Sequence, residues 1–171
     1  MRNLPGALAL LVSVALPTGV AAAENDYIGA KACAACHTGG RGGDAHGVWE
    51  RSAHAKAFVT LLNTDEKSRD GRKASERPEC LKCHVTGGGD AKNVAAGFDV
   101  KEGITCEACH GAASAYRTVH AGGDLARSRE AGLNPVDPAK SCLECHNKGC
   151  DKDFKFAEKW PLIRHTRPAR K

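Results

Sequence analysis

The sequence predicts a mainly helical fold with extensive loops, whose interior is filled by something other than apolar side chains. The first observation is composition: four Phe, two Trp and two Tyr stand against 19 Gly and 26% charged residues. This composition supplies little material for an apolar core. The second observation is a cysteine pattern with the spacing of one helical turn, which occurs four times and is separated by glycine-rich segments.

The N-terminal residues 1–23 have the features of a secretory signal peptide. Arg2 precedes an apolar run over residues 4–20, and three alanines then provide a small-residue cleavage site. An uncleaved membrane anchor is the alternative, but Pro17 and neighbouring polar residues disfavour it. We therefore expect a single mature domain over residues 24–171, located in the periplasm and with no membrane span after cleavage.

Each cysteine pair is followed directly by a histidine, which indicates covalent attachment of haem. Two cysteines about one helical turn apart can each form a thioether with a haem vinyl group, and the histidine then ligates the iron. Zinc sites and disulfides are the alternatives, but neither needs a histidine after every second cysteine. We therefore predict four c-type haems, each with its iron. The attachment residues are Cys33 and Cys36, Cys80 and Cys83, Cys106 and Cys109, and Cys142 and Cys145; the proximal ligands are His37, His84, His110 and His146.

The second axial position of each iron must be filled by histidine or left open. The single methionine is Met1, which leaves with the signal peptide, so Met/His ligation is unavailable. His54 lies in "VWERSAHAKAFVTLL", a pattern that predicts an amphipathic helix and favours a ligand. The histidine of the glycine-rich "TGGRGGDAHG" is as consistent with a solvated side chain as with a ligand. The histidines outside the motifs are His46, His54, His120 and His165.

Charge gives no indication of a nucleic-acid partner. The formal net charge is +5 and the sequence pI is about 8.7. Arg2 leaves with the signal peptide, which reduces the charge to +4. Each ferric haem adds roughly −1 as the sum of its two propionates and the positive iron porphyrin, so four haems cancel this charge. The basic C-terminal "RHTRPARK" is either a solvated tail or a surface that steers an acidic partner.

Cys150 stands outside the four motifs. Three roles are open to it: a free surface thiol, a disulfide that joins two chains, or a thiol close to the fourth haem.

Several segments resemble the cytochrome c-554 family of tetrahaem cytochromes, whose best-known member accepts electrons from hydroxylamine oxidoreductase. They are "YIGAKACAACH", "VWERSAHAKAF", "CLKCHVTGGG", "GITCEACHG" with "YRTVH", and "DFKFAEKW" with the later "RH". The resemblance implies helices and loops around stacked haems, with a compact haem-packed core and little or no sheet. It also implies a periplasmic electron-transfer protein whose partners are redox proteins.

The resemblance further implies how the distal histidines are assigned. His120 would serve the haem on His37, His165 the haem on His110, and His54 the haem on His146. The haem on His84 would be five-coordinate. An open iron there gives an alternative function, a redox enzyme that reduces a small nitrogen or sulfur oxide.

The sequence departs from the family in the glycine-rich segment after the first motif, where His46 could cap the haem on His84. The connection between His146 and Phe154 is also short. Pro161 is expected to interrupt the last helical pattern, which weakens the assignment of His165.

Overall fold

The computed structural model describes residues 25–166, apart from residues 66, 68, 69, 90 and 148. The predicted signal peptide and the end of the basic tail lie outside the described residues. In the described part, the chain forms short helices, and its extended pairing consists of two isolated bridges, Tyr27–Val94 and Lys67–Lys73. This confirms the predicted fold class. The helices are α1 (Ala30–His37), α2 (Ala45–Arg51), α3 (Ala57–Leu62), α4 (Pro78–His84), α5 (Glu107–His110), α6 (Tyr116–Ala121), α7 (Leu125–Glu130), α8 (Pro138–Cys145) and α9 (Phe156–Ile163).

Each cysteine motif lies in, or overlaps by all but one residue, one of these short helices: α1, α4, α5 and α8 carry the four motifs in chain order. Two of the helices begin with proline, Pro78 in α4 and Pro138 in α8. Proline suits the first helical position because its missing N–H would have no intrahelical partner there. The fold thus presents seven of the eight motif cysteines on helices of four to eight residues, and the eighth, Cys106, directly precedes α5.

The apolar core of the described residues is small, as the composition predicts. One cluster consists of Phe58, Leu61, Ala74 and Val85, with Leu81 and Phe98 packed against it. The largest fully buried side chains include Glu107, Thr86 and Ser128, which are polar. Side-chain packing alone therefore supplies limited apolar burial for a chain of this length.

The amphipathic helix predicted around His54 is interrupted in the structure, so the prediction of one continuous helix was wrong. Helix α2 ends at Arg51, a 3₁₀ turn spans His54–Lys56, and α3 begins at Ala57. Ser52 has extended backbone angles, φ −81 and ψ 166. Its hydroxyl donates to the Trp49 carbonyl at 2.6 Å and accepts the His54 N–H at 3.2 Å. This serine turn competes with the helical hydrogen-bond pattern and re-aims the chain just before His54.

The expected interruption at Pro161 was also wrong. Pro161 lies inside α9, which continues to Ile163. The Arg164 N–H donates to the Trp160 carbonyl at 2.9 Å and closes the last turn. The rings of Phe156 and Trp160 stack with centroids 6.0 Å apart. None of the helices among the described residues combines the length and apolar character that crossing a bilayer requires.

Candidate haem-binding sites

Three motif histidines each face a histidine from a distant part of the chain. The ring centroids of His37 and His120 are 6.1 Å apart. Those of His54 and His146 are 6.0 Å apart, and those of His110 and His165 are also 6.0 Å apart. The structure thus brings together the same three pairs that the family resemblance implies.

The separation of these rings fits one metal ion held between them. Imidazole nitrogens bind metals at about 2 Å, so two axial nitrogens lie about 4 Å apart. Adding the distance from each nitrogen to its ring centre gives a centroid separation of about 6 Å. Direct stacking would bring the rings closer, as His146 and Phe154 show with centroids 4.4 Å apart. The three pairs therefore fit the axial positions of a haem iron.

The fourth motif histidine, His84, has different neighbours. Its Nδ1 lies 2.7 Å from the Ala57 carbonyl oxygen and 3.2 Å from the Thr60 hydroxyl. His46, the expected cap, lies in α2 with its ring 5.2 Å from that of Trp49. His46 lines a surface groove together with charged side chains such as Lys31. In the described part of the chain, His46 therefore contacts a tryptophan rather than completing a fourth histidine pair.

Two further motif histidines are oriented by hydrogen bonds at Nδ1. His37 contacts the Gly42 carbonyl oxygen at 2.9 Å, and His146 contacts a carboxylate oxygen of Asp151 at 2.8 Å. A Cβ atom at residue 42 would collide with the Cys36 carbonyl oxygen, so glycine permits this close approach. When Nδ1–H donates to an oxygen, Nε2 carries the lone pair and is free to bind a metal.

Burial keeps two of the paired histidines neutral, as metal ligation requires. Burial, followed by the nearby His165, His37 and His120, lowers the pKa of His110 to about 4. Burial also lowers the pKa of His54, with a smaller contribution from His146. The proximity of His110 to His37 and His120 also indicates that the first and third sites are neighbours.

Cysteines of different motifs lie beside one another. The Cys33 thiol hydrogen-bonds that of Cys106, which lowers the pKa of Cys33 and raises that of Cys106. Burial raises the pKa of Cys109, and Cys142 raises it further.

Cys83 of the second motif lies beside Cys145 of the fourth motif. Burial, followed by the neighbouring Cys145, raises the pKa of Cys83 to about 12. The contacts between motif cysteines therefore run in the order first, third, fourth and second.

Cys150 lies near this junction of the second and fourth motifs. Its thiol is among the neighbours that raise the pKa of Cys83 and of Cys145. Cys150 itself is exposed. Of its three predicted roles, the structure is consistent with a surface thiol that lies close to two haem-attachment cysteines.

Glu107 is a site residue that the sequence motif did not reveal, because it occupies a variable position between Cys106 and Cys109. Its carboxylate accepts the N–H groups of Ile28, Gly29 and Ala113 at distances from 2.8 to 3.0 Å. Ile28 and Gly29 directly precede α1, so two of these contacts fix the point at which the chain enters that helix. Burial raises the pKa of Glu107, while the three N–H groups act in the opposite direction. A residue of the third motif thus fixes the helix of the first.

The zinc alternative requires several ligands that converge on one point. Among the described residues, no group of three or more His, Cys, Asp or Glu side chains is placed to hold a metal ion. The paired histidines instead match a planar cofactor that supplies the other four iron ligands itself.

Comparisons with known proteins support the family resemblance and the fold. A family model described as "Cytochrome c554 and c-prime" matches residues 32–111, which contain the first three motifs. Cytochrome c-554 from Nitrosomonas europaea is 29% identical over 112 residues, which cover 58% of this chain and 44% of that protein. The match thus spans less than half the length of this curated relative.

A solved structure, the reduced state of cytochrome c554 from Nitrosomonas europaea, matches with a TM-score of 0.52 at 20% identity. The match covers 84% of this chain and 80% of that one, and it establishes similarity of fold. The family match, the curated relative and the shared fold together confirm the resemblance that the motifs predicted: this chain is similar to the cytochrome c-554 family, whose members carry covalently attached c-type haems.

Proposed function

We propose that this protein is a periplasmic electron carrier with four covalently bound haems, three of them ligated by two histidines. The observation that supports this most directly is the spacing of the three histidine pairs, 6.0 to 6.1 Å between ring centroids. Each pair joins residues far apart in sequence, so the spacing is not a consequence of local helix geometry.

The residues of the chain have distinct tasks in this proposal. The eight motif cysteines tether the haems, and Nε2 of each paired histidine binds the iron. Haem supplies a one-electron iron couple when it is bound. Two histidines on one iron favour a low potential, whereas a methionine ligand would raise it.

The contacts between motifs support a carrier. The neighbouring cysteine pairs Cys33–Cys106, Cys109–Cys142 and Cys83–Cys145 connect all four attachment sites into one series. A series of neighbouring sites would give an electron a route from one haem to the next. We expect the partners to be other periplasmic redox proteins that dock transiently through small interfaces.

Haem loading and spin state test this proposal. The exported protein should exceed the mass of residues 24–171 by four haems. His54→Ala removes one member of a pair and should produce a high-spin ferric signal that the wild type lacks at that haem. His46→Ala is the matched control and should leave the spin state unchanged, because His46 contacts Trp49. A protein with fewer haems, or a His54→Ala spectrum identical to that of wild type, would contradict the proposal.

We infer a second candidate function from the different surroundings of His84: reduction of a small nitrogen or sulfur oxide. Its Nδ1 faces Ala57 and Thr60, and in the described residues its ring forms none of the three histidine pairs. An iron held by one histidine leaves a position for a small molecule. Carbon monoxide binding to one haem of the reduced protein is the expected result. A reduced spectrum that carbon monoxide does not change would exclude this function and leave the carrier proposal intact.

A further inference from the structure

We propose that Asp151 is a positioning residue for His146 that gives the fourth haem a lower potential than it would otherwise have. The inference rests on the proposed function, since it requires His146 to be an iron ligand. Asp151 Oδ2 lies 2.8 Å from His146 Nδ1, which is a normal hydrogen-bond distance. Nδ1–H donates to the carboxylate, and this leaves Nε2 for the metal.

A tight turn returns the carboxylate to the ring. The Asp151 N–H donates to the Asn147 carbonyl at 2.7 Å, and the Asn147 side chain accepts the Gly149 N–H at 2.9 Å. The turn therefore sets Asp151 beside the histidine that precedes Asn147. The short connection after the fourth motif, which departs from the family pattern, contains this turn.

Phe154 also contacts the His146 ring. Its ring stacks on that of His146 with centroids 4.4 Å apart and planes inclined by 18°. The Phe154 N–H donates to the Asp151 carbonyl at 3.2 Å, so both contacts belong to one segment. The hydrogen bond fixes one edge of the His146 imidazole, and Phe154 covers one of its faces.

The acceptor at His146 differs in charge from the acceptors at the other oriented motif histidines. His37 and His84 contact the backbone carbonyl oxygens of Gly42 and Ala57, which are neutral. A hydrogen bond to a carboxylate is stronger than one to a neutral acceptor and makes the imidazole a better electron donor. Stronger donation stabilises ferric relative to ferrous iron and lowers the potential. The side chains of His146 and Asp151 are 35% and 41% exposed, so solvent reduces this effect without removing it.

The test is a redox titration of the intact exported protein. Asp151→Asn keeps the shape of the side chain and an oxygen acceptor but removes the charge. We expect one of the four potentials to rise, with a changed electron paramagnetic resonance signal for the same ferric haem. The other three potentials should stay at their wild-type values. Asp153→Asn, an equal charge change on an exposed residue of the same segment, should leave all four unchanged.

Mass spectrometry confirms that the titrated preparation carries four haems, so incomplete loading does not obscure the titration. If Asp151→Asn yields no fully loaded fraction, Asp151→Glu replaces it, since the longer side chain disturbs the 2.8 Å contact while keeping the charge. A fully loaded variant whose four potentials match those of Asp153→Asn would overturn the proposal for Asp151 and leave the haem assignment standing. Failure of His54→Ala to expose the fourth iron would instead overturn the proposed ligation itself.

Discussion

A single buried carboxylate, that of Glu107, connects the first and third haem motifs. It is 1% exposed, yet both of its oxygens accept backbone N–H groups. Buried carboxylates are tolerated when hydrogen bonds replace the water that they lose. Its partners Ile28 and Gly29 lie nearly 80 positions away in sequence, as the separations of 79 and 78 residues show. The motif pattern treats this position as variable, so sequence reasoning passed over it.

Replacement of Glu107 by glutamine should destabilise the haem-loaded protein. An amide nitrogen would replace one acceptor oxygen and would face a backbone N–H, which leaves a buried donor without a partner. Such a loss lowers the free energy of unfolding by about 1–3 kcal/mol. Thermal unfolding followed by circular dichroism should show a lower midpoint.

Glu144→Gln is the matched control for this change. Glu144 also lies between the two cysteines of a motif, but it is exposed. Substitution of an exposed residue away from specific contacts changes stability by roughly 0.5 kcal/mol or less. Equal midpoints for the two variants would show that the hydrogen bonds of Glu107 contribute little.

At the scale of elements, the loop that contains Gly103 and Ile104 is hydrogen-bonded to the turn that carries His54. The Ile104 N–H donates to the His54 carbonyl at 3.0 Å, and the Ile104 carbonyl accepts the Trp49 indole N–H at 2.6 Å. Gly103 precedes this contact with φ +66, and a Cβ there would lie 2.6 Å from the His54 carbonyl oxygen. The loop before the third motif thus positions the distal histidine that we assign to the fourth haem.

Gly103→Ala should therefore weaken both the fold and the ligation by His54. A Cβ in contact with backbone cannot be accommodated by a side-chain rotation, and overpacking of this kind destabilises by about 1–3 kcal/mol. Displacement of His54 should also add a high-spin fraction to the ferric spectrum. Gly97→Ala controls for backbone strain, because Gly97 has φ +93 and no atom within 4 Å of the added carbon. A similar stability and spectrum for the two alanine variants would count against the packing argument.

The helices near His54 show where sequence periodicity stops being informative. The spacing of apolar residues from Trp49 onward predicted one helix, and helical segments do occur on both sides of the histidine. The Ser52 hydroxyl interrupts the helix because it hydrogen-bonds the Trp49 carbonyl and the His54 N–H, in competition with the helical backbone. The spacing of apolar residues shows which face of a segment is buried. Whether a serine side chain displaces helical hydrogen bonds depends instead on the tertiary contacts around the turn.

At the scale of the whole molecule, the four motifs have unequal structural roles. Residues around the third motif contact the N-terminal segment through Glu107 and the second motif through Thr105, whose N–H donates to the buried Thr86 hydroxyl at 2.7 Å. The Asn134 N–H donates to the His110 carbonyl at 2.9 Å and joins the motif to the later part of the chain. The sequence predicted four haem-attachment sites and, through the family resemblance, three histidine pairs with the iron on His84 left open. It could not predict this central position, because the position depends on contacts between residues distant in sequence.

Loss of haem attachment at the third motif should therefore disrupt the fold more than loss at the second. In Cys106→Ser/Cys109→Ser, the missing haem would leave a gap among the residues that connect the first and second motifs, and few apolar side chains could fill it. The second motif packs on the apolar cluster that contains Phe58 and Leu61, so Cys80→Ser/Cys83→Ser should retain local packing. Helical circular dichroism and the thermal midpoint should both fall further in the third-motif variant, with mass spectrometry confirming one missing haem in each. Equal losses in the two variants would mean that the haems stabilise the molecule independently of their place in it.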